Sequence, residues 1–301
     1  MKTALCFTPD RAFFRPAVFT AASLIGQGDA DAFDIFIVCE PGDVAPGFER
    51  LDPELRGRIN LLTLDFTRYA DGLAGKGRFS RAVFRRLFLD QILPESYPRL
   101  IAMDADMRVA RPGLGRLADI DLEGRPLAAA FDMIYLMDYK GGALAKRFQT
   151  YRRSLGLDLE TPYFNAGLMV IDRAAWREQN LAARAASALR ETPDRFAFME
   201  QSALNSLVAG RFAPLSPRCN FMGDFLLLDL RRGSRRSSCT SSIARNPGNS
   251  TSGAERRGSR STTSAGSRLR LGRAGRAPSA PCNIRRAGRR RPRRGEVSRN
   301  V

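Results

Sequence analysis

Apolar residues along this chain gather into short runs with few polar interruptions, at Thr3–Thr8, Phe33–Cys39, Ile59–Leu64, Arg99–Met103 and Leu127–Phe131. Each run stops at a proline or an acidic residue. Runs of this kind predict strands buried on both faces, because a strand with one wet face would alternate apolar and polar positions. Gly167–Ile171, following Asn165, predicts a further strand, and Phe225–Leu228 is the last apolar run. Helical spacing fills the intervals. Phe13–Leu24 predicts a helix with Pro16 tolerated in its first turn. Ser80 predicts the cap of a helix running to about Leu93, where Pro94 ends it, with Val83, Phe84, Leu87, Phe88 and Ile92 on its apolar face. Ala174–Leu189, with the single Trp176 near its start, and Gln201–Val208 complete the helices. Strands alternating with helices predict an α/β protein with a mostly parallel, doubly wound central sheet.

Composition changes that picture at one place. The chain of 301 residues carries a net charge of +18, but 20 of its arginines and only two of its acids lie beyond residue 230. The first 230 residues therefore balance 29 basic against 29 acidic groups. Beyond Leu230 arginine, serine, glycine and threonine dominate, and neither helical nor strand periodicity survives. Such a segment cannot bury enough apolar surface to offset its ordering entropy. The expectation is a folded domain over 1–230 and a disordered basic tail over 231–301.

Three function classes narrow at once. With no histidine in the chain, mechanisms that need an imidazole as base, nucleophile partner or metal ligand are excluded. The five cysteines show no ligand or pairing spacing, and Cys6 and Cys39 sit in apolar runs, which predicts buried thiols in a reducing compartment. No apolar run approaches the roughly 20 residues that cross a bilayer, and the first residues lack a signal peptide's apolar stretch. A cytoplasmic protein is expected, with peripheral attachment to the inner face of the membrane left open.

The candidate chemistry is acidic. Asp104-Ala105-Asp106 follows the strand Arg99–Met103 directly, and two aspartates two apart at a strand end project to one side, which suits a hard divalent cation beside a diphosphate. The spacing alone is weak, since Asp29-Ala30-Asp31 and Asp119-Ile120-Asp121 share it in segments that read as surface loops. Only the first pair lies at the carboxyl end of an apolar strand, where open α/β sheets bind ligands.

Four separated segments between about Lys2 and Phe221 resemble the family 8 glycosyltransferases, which have a GT-A fold. Cys6 to Phe13 is similar to the family's opening strand and nucleotide loop, implying that Thr8 and Asp10 line the donor site and that Phe13, where a tyrosine is usual, stacks on the base. Phe79 to Leu87, followed by Leu100 to Val109, resembles the helix and metal-binding strand. It implies that Arg86 reaches the donor, that Asp104 and Asp106 hold Mn²⁺ or Mg²⁺, and that Ala105 lies against the nucleotide; Arg81 and Arg85 read as surface charges. Pro162 to Ile171 resembles the sugar- and acceptor-side loop with its following strand, placing Asn165 and Gly167 beside the sugar, with Asp132 also facing it. Glu200 to Asn205 looks like an Asp-Gln-Asp-x-Leu-Asn motif whose acids have become Glu200 and Ser202, while Gln201 remains beneath the anomeric carbon. The resemblance implies a retaining transfer of hexose from a UDP-sugar to a saccharide or glycolipid acceptor, lipopolysaccharide core sugars among them.

The family's pattern also includes a histidine as third metal ligand and a lysine on the diphosphate, in a segment His-x-x-Gly-x-x-Lys-Pro-Trp. This chain has neither. Permitted codons for Ser238 to Gly248 can, however, be read in a shifted frame as Leu-His-Phe-Val-Asn-Arg-Ala-Lys-Pro-Trp, although cysteine, asparagine and isoleucine allow few spellings. Two readings of the tail stand: a shifted frame that replaced the domain's true end, or a genuine basic arm that binds phosphate of nucleic acid or anionic lipid with steep salt dependence. Absence of lysine and aromatics beyond Leu230 speaks against specific nucleic-acid recognition. The nucleotides spanning codons 225 to 250 are expected to encode the histidine and Lys-Pro-Trp segment in an alternative frame, and gene sequencing without that segment removes the frame-shift reading.

Overall fold

All five of the long apolar runs become strands of one sheet. The structure, a computed structural model, describes residues 2–77 and 79–228; the tail, its expected disorder and the boundary at 230 lie outside the described residues. The strands are β1 (Thr3–Phe7), β2 (Asp34–Cys39), β3 (Ile59–Thr63), β4 (Arg99–Met103), β5 (Leu127–Phe131), β6 (Phe164–Asp172) and β7 (Ala213–Leu215), in spatial order β3-β2-β1-β4-β6-β5-β7. The first four run parallel, with Cys6 of β1 level with Phe36 of β2 and with Ala102 of β4. β6 runs against both of its neighbours, β4 and β5, while β7 is parallel to β5. The sheet is mostly parallel, as expected, with β6 as the strand that runs against its neighbours.

Both faces are covered, which is why the strands read as continuous apolar runs. One face buries Ala4, Cys6, Leu100, Ala102, Met169 and Ile171 with Phe84, Leu87 and Trp176. The other buries Leu5, Phe7, Ile101, Met103, Leu168 and Val170 under Phe14, Ala17, Ala21 and Leu24 of the helix Phe14–Gly26. Alternate residues of each strand thus belong to different cores, as the pleat requires.

Several helices differ from expectation. Ser80 makes no side-chain cap, and Arg81–Phe88 winds as a 3-10 segment before a short α-turn at Leu89–Ile92. Its residues Phe84 to Phe88 are all buried, so the segment is packed around its circumference and is not an amphipathic surface helix. The expected helix Ala174–Leu189 is two, Arg173–Glu178 and Leu181–Glu191, broken where Asn180 takes the left-handed conformation that asparagine tolerates. The helix Gly142–Ser154 and the three-residue β7 carried no recognised signal; β7 contains Pro214, which argues against a strand except at an edge. Among the described residues no helix is long and apolar enough to cross a membrane.

One buried cation closes the approach to β4. Arg173, 4% exposed, donates from Nε and Nη2 to the Asp90 carbonyl (3.0 and 2.6 Å) and also to the carbonyls of Leu93, Pro94 and Tyr97. These are orphan acceptors at the end of Leu89–Ile92 and in the turn before β4. Arg173→Met removes the side-chain donor to the Leu93 and Tyr97 carbonyls, while Asp90 keeps Arg177 and Pro94 keeps the Tyr97 N–H, and is expected to lower unfolding free energy by about 3 kcal/mol or more in urea titrations. A loss below about 1 kcal/mol would show that the turn holds itself.

Candidate functional site

The reversed direction of β6 assembles the site. Because β6 is antiparallel to β4 and β5, its first residues lie beside their carboxyl ends: Met103 pairs with Leu168, and Phe131 with Phe164. The pairing continues past the strands, as the Asp104 N–H donates to the Gly167 carbonyl (2.7 Å) and the Asp132 N–H to the Tyr163 carbonyl (2.9 Å). Asp104, Asp132, Asn165 and Gly167, far apart in sequence, thereby meet at one edge of the sheet. Gly167 sits inside a strand as its apolar run predicted, and Asn165 does too, where the sequence suggested a loop preceding one.

Arg86 lies at the centre. Its guanidinium, held by the 3-10 segment, donates to Asp104 Oδ1 (2.6 Å) and to the Ala166 carbonyl (2.6 Å), and Nε stands 3.7 Å from Glu200 Oε1. Burial would pull the Arg86 pKa down, but Asp104 and Glu200 outweigh it and leave it raised, with Asp106 adding to the effect. Glu200 is 6% exposed, and desolvation pushes its carboxyl up to about 7 against the opposing pull of Arg86. Asp104 and Asp106 are half-buried. Thr20 on the helix Phe14–Gly26 pins their loop from below, its hydroxyl shared between the carbonyls of Ala105 (2.7 Å) and Met107 (2.5 Å). Ala105 and Asp106 open onto a cavity of about 270 Å³ whose walls include Arg15, Phe19 and Thr20.

A second polar cluster stands on the β5 and β6 side. Asp132 receives the Ile134 N–H on Oδ1 (2.8 Å), capping the turn Met133–Leu136, and receives Asn165 Nδ2 (2.6 Å) and Gln201 Nε2 (3.3 Å) on Oδ2. Gln201 Oε1 accepts the Ala166 N–H (3.0 Å), which fixes which end of the amide faces Asp132. Asn165 is 4% exposed, and its Oδ1 accepts from the Gly167 N–H and from Asn220 Nδ2, both at 2.8 Å. Its amide is thus engaged within the protein, holding Asp132. Ser202, where the resemblance has an acid, is buried and shares its hydroxyl with Tyr151 (2.6 Å) and Tyr163 (2.9 Å). A neutral group suits that apolar setting.

On the β1 side Thr8 and Asp10 are half-buried, and Asp10 Oδ1 accepts the Phe13 N–H (3.0 Å), turning Phe13 outward at 38% exposure. Arg85 corrects the surface-charge reading: it is 3% exposed and bonded to Pro9, Glu40 and Asp43. Arg81 is exposed as expected, donating to the Ala70 carbonyl (3.1 Å).

Three residues escaped the sequence reading. Thr20 and Asn220 are polar groups in otherwise ordinary segments, and nothing local marks a hydroxyl or amide that bonds a partner 55 or more residues away. Asn205 belongs to a quoted motif, but its part is structural: it binds both the N–H and the carbonyl of Phe164, tying the helix Met199–Val208 to β6. The other carboxylate repeats bind backbone N–H groups. Asp29 accepts from the N–H groups of Gly113 and Leu114, and Asp121 from that of Glu123. Cys6 and Cys39 are buried; desolvation raises both thiols, Cys39 to about 12. Among the described residues no group of three or more His, Cys, Asp or Glu could hold a metal by itself.

Comparison with known proteins gives a consistent outcome. The model of glycosyl transferase family 8 matches residues 58–247. Over 175 residues the chain is 27% identical to general stress protein A of Bacillus subtilis strain 168, covering 58% of this chain and 56% of that one. Over 132 residues it is 26% identical to lipopolysaccharide 1,2-glucosyltransferase of Escherichia coli K12, covering 44% and 36%. The chain spans about half or less of these relatives' length. Among solved structures, galactosyltransferase LgtC in complex with donor and acceptor sugar analogs superposes with a TM-score of 0.66 at 20% identity, covering 81% of this chain and 87% of that one. Mouse xyloside xylosyltransferase 1 gives a TM-score of 0.52 at 17% identity, covering 82% and 98%. At such identities the structural likeness is one of fold.

The raised Glu200 pKa has a signed consequence. A carboxyl whose folded pKa lies near 7, above its ordinary 4.5, contributes stability that is complete below the ordinary value and is lost as pH rises through about 7. Between about pH 5 and pH 8 the melting temperature of the parent protein is expected to fall relative to that of Glu200→Gln, which stays neutral. A difference that does not change with pH means Glu200 is ionised throughout.

Proposed function

Starting from the fact that the chain belongs to glycosyl transferase family 8 and has the GT-A fold, we propose that it moves a hexose from a UDP-sugar to a saccharide or glycolipid acceptor with retention of configuration. The observation that carries this reading is the juxtaposition at the sheet edge. Arg86 and the Asp104-Ala105-Asp106 loop lie next to the Asp132, Asn165 and Gln201 cluster, for the Ala166 carbonyl accepts from Arg86 and the Ala166 N–H donates to Gln201.

The residues present fit a divalent ion in one specific way. Two half-buried carboxylates on one loop are hard oxygen donors, and Arg86 engages Asp104 through Oδ1. Two carboxylates are what Mg²⁺ or Mn²⁺ takes from protein when substrate phosphate and water complete the shell. Asp104 and Asp106 would hold the ion, which would supply charge neutralisation to the departing diphosphate. The chain's own groups do the rest. Arg86 adds a fixed positive charge between the phosphate side and Glu200. Thr8, Asp10 and Phe13 bound the nucleoside end, where the exposed Phe13 ring offers a stacking face. Gln201, oriented by the Ala166 N–H and by Asp132, presents an amide dipole toward positive charge developing at the anomeric carbon. Asn165 positions Asp132, and Gly167 carries the carbonyl that holds Asp104. In the transfer the bond from C1 to the diphosphate oxygen breaks, the acceptor oxygen bonds C1 from the same face, and the acceptor's proton leaves with the diphosphate.

The acceptor class is supported by the lipopolysaccharide glucosyltransferase among the relatives and by the sugar-bound galactosyltransferase among the structures. We place the catalytic domain at 1–230 and the protein in the cytoplasm, with attachment to the inner membrane face left open. The histidine and lysine that complete the family's grip on the diphosphate are absent from this sequence.

UDP release measured with Mn²⁺ and an assortment of hexose donors is expected to be weak for this chain and strong for a frame-restored one. Equal high activity in both would refute the account of the tail. In whichever chain turns over, Asp104→Asn is expected to lower kcat/KM by about 10²-fold or more, because it removes charge needed in the transition state. Activity unchanged in Asp104→Asn, or insensitive to chelator, sinks the metal-dependent reading.

A further inference from the structure

We infer that Arg85 is a positioning residue for the nucleoside side of the cleft, locking the loop after β1 and the loop after β2 into one unit. This rests on reading the site as one for a nucleotide sugar. Successive residues of a 3-10 turn point about 120° apart, so the two arginines of Arg81–Phe88 diverge. Arg86 goes to β4 and β6. Arg85 goes the other way, donating from Nη1 to the Pro9 carbonyl (2.6 Å) and from Nη2 to Glu40 Oε2 (2.5 Å) and Asp43 Oδ2 (2.7 Å). Its guanidinium stacks over the Phe66 ring at 4.8 Å.

The two loops it joins are also laced to each other. Asp43 Oδ1 accepts the Arg11 N–H (3.0 Å), its Oδ2 accepts the Glu40 N–H (3.2 Å), and Arg11 donates back to the Gly42 carbonyl (3.2 Å). Pro9 lies between Thr8 and Asp10, and Asp10 sets the turn that presents Phe13. A charge buried to 3% with three oxygen partners is not a solubility device. Removing it leaves the Pro9 carbonyl without its side-chain donor and the largely buried Asp43 carboxylate without its cation, and the shared Asp43 then relaxes both loops together. Because Arg85 faces the nucleoside end and not the Asp104 loop, its loss should weaken ground-state binding of the nucleotide more than the chemical step.

Arg85→Met keeps the side chain's length and removes its donors. UDP affinity is read by calorimetry with Mn²⁺, and hydrogen exchange is followed in segments 8–13, 40–43, 99–104 and 164–169. Arg85→Met is expected to raise the Kd for UDP about tenfold, to speed exchange in the first two segments only, and to leave kcat at saturating donor within about threefold. Arg85→Lys, which can reach some of the same oxygens but not all, should recover part of the affinity. Unchanged exchange in 8–13 and 40–43, unchanged affinity, or a loss confined to kcat would overturn the inference. Should Arg85→Met fail to fold, Glu40→Gln removes one anchor from the more exposed side, and a smaller shift in the same direction is expected; no shift overturns. If the parent protein binds no UDP, the nucleotide-sugar reading falls on its own, and the exchange comparison still decides whether Arg85 couples the loops.

Discussion

A single buried guanidinium, that of Arg86, holds three separate parts of the protein in register: the tip of β4 through Asp104, the start of β6 through the Ala166 carbonyl, and the helix Met199–Val208 through Glu200. Leaving such a charge unpaired costs about 3–5 kcal/mol, comparable to much of a domain's net stability. The arrangement is therefore obligatory once Arg86 is inside. It also explains why Glu200 need not be charged: Asp104 already supplies the close anion, and the longer contact to Glu200 does not offset its desolvation.

The second constraint is the direction of β6. Had it run parallel to β4, Asn165 would lie at the opposite end of the sheet from Asp104. Antiparallel pairing instead sets the Asn165 network against the Asp104 loop, and the backbone bonds beyond each strand end carry the order into the loops. The consequence is a charged group around Arg86 and Asp104 beside an amide-rich group around Asp132, Asn165 and Gln201, each built from polar groups whose partners are already in place. Preorganisation of this sort is what lets dipoles act on developing charge without reorganisation cost.

Three identical aspartate spacings in one chain illustrate how little a short pattern says by itself. Asp29 is occupied with two N–H groups of the segment before Leu114–Asp119, and Asp121 with the turn at Glu123. Asp121 acts as a local cap, and Asp29 ties its loop to a distant one. Asp104 alone meets a buried arginine at the carboxyl end of an inner strand. Likewise Arg81, Arg85 and Arg86 are indistinguishable by residue type, yet one is exposed and two are buried, Arg85 against the loops after β1 and β2 and Arg86 against β4 and β6.

The amino-acid sequence by itself determined the inner strands, because strands buried on both faces write themselves as unbroken apolar runs, and it determined the acidic loop, which follows such a run directly. It also marked the change of character at residue 230 and the segments that carry Asp104, Asp132, Asn165 and Gln201, which the structure links around the start of β6. Only the tertiary structure decided the reversal of β6, since an apolar run buries equally well in either direction. It alone decided the tight winding of Arg81–Phe88 and the inward turn of Arg85, which depend on partners about 40 to 80 residues away. Thr20, Asn205 and Asn220 belong to the same class: a polar side chain satisfied by a distant backbone or amide leaves no periodic trace in its own neighbourhood, because the energy that fixes it comes from a contact made when the sheet has closed.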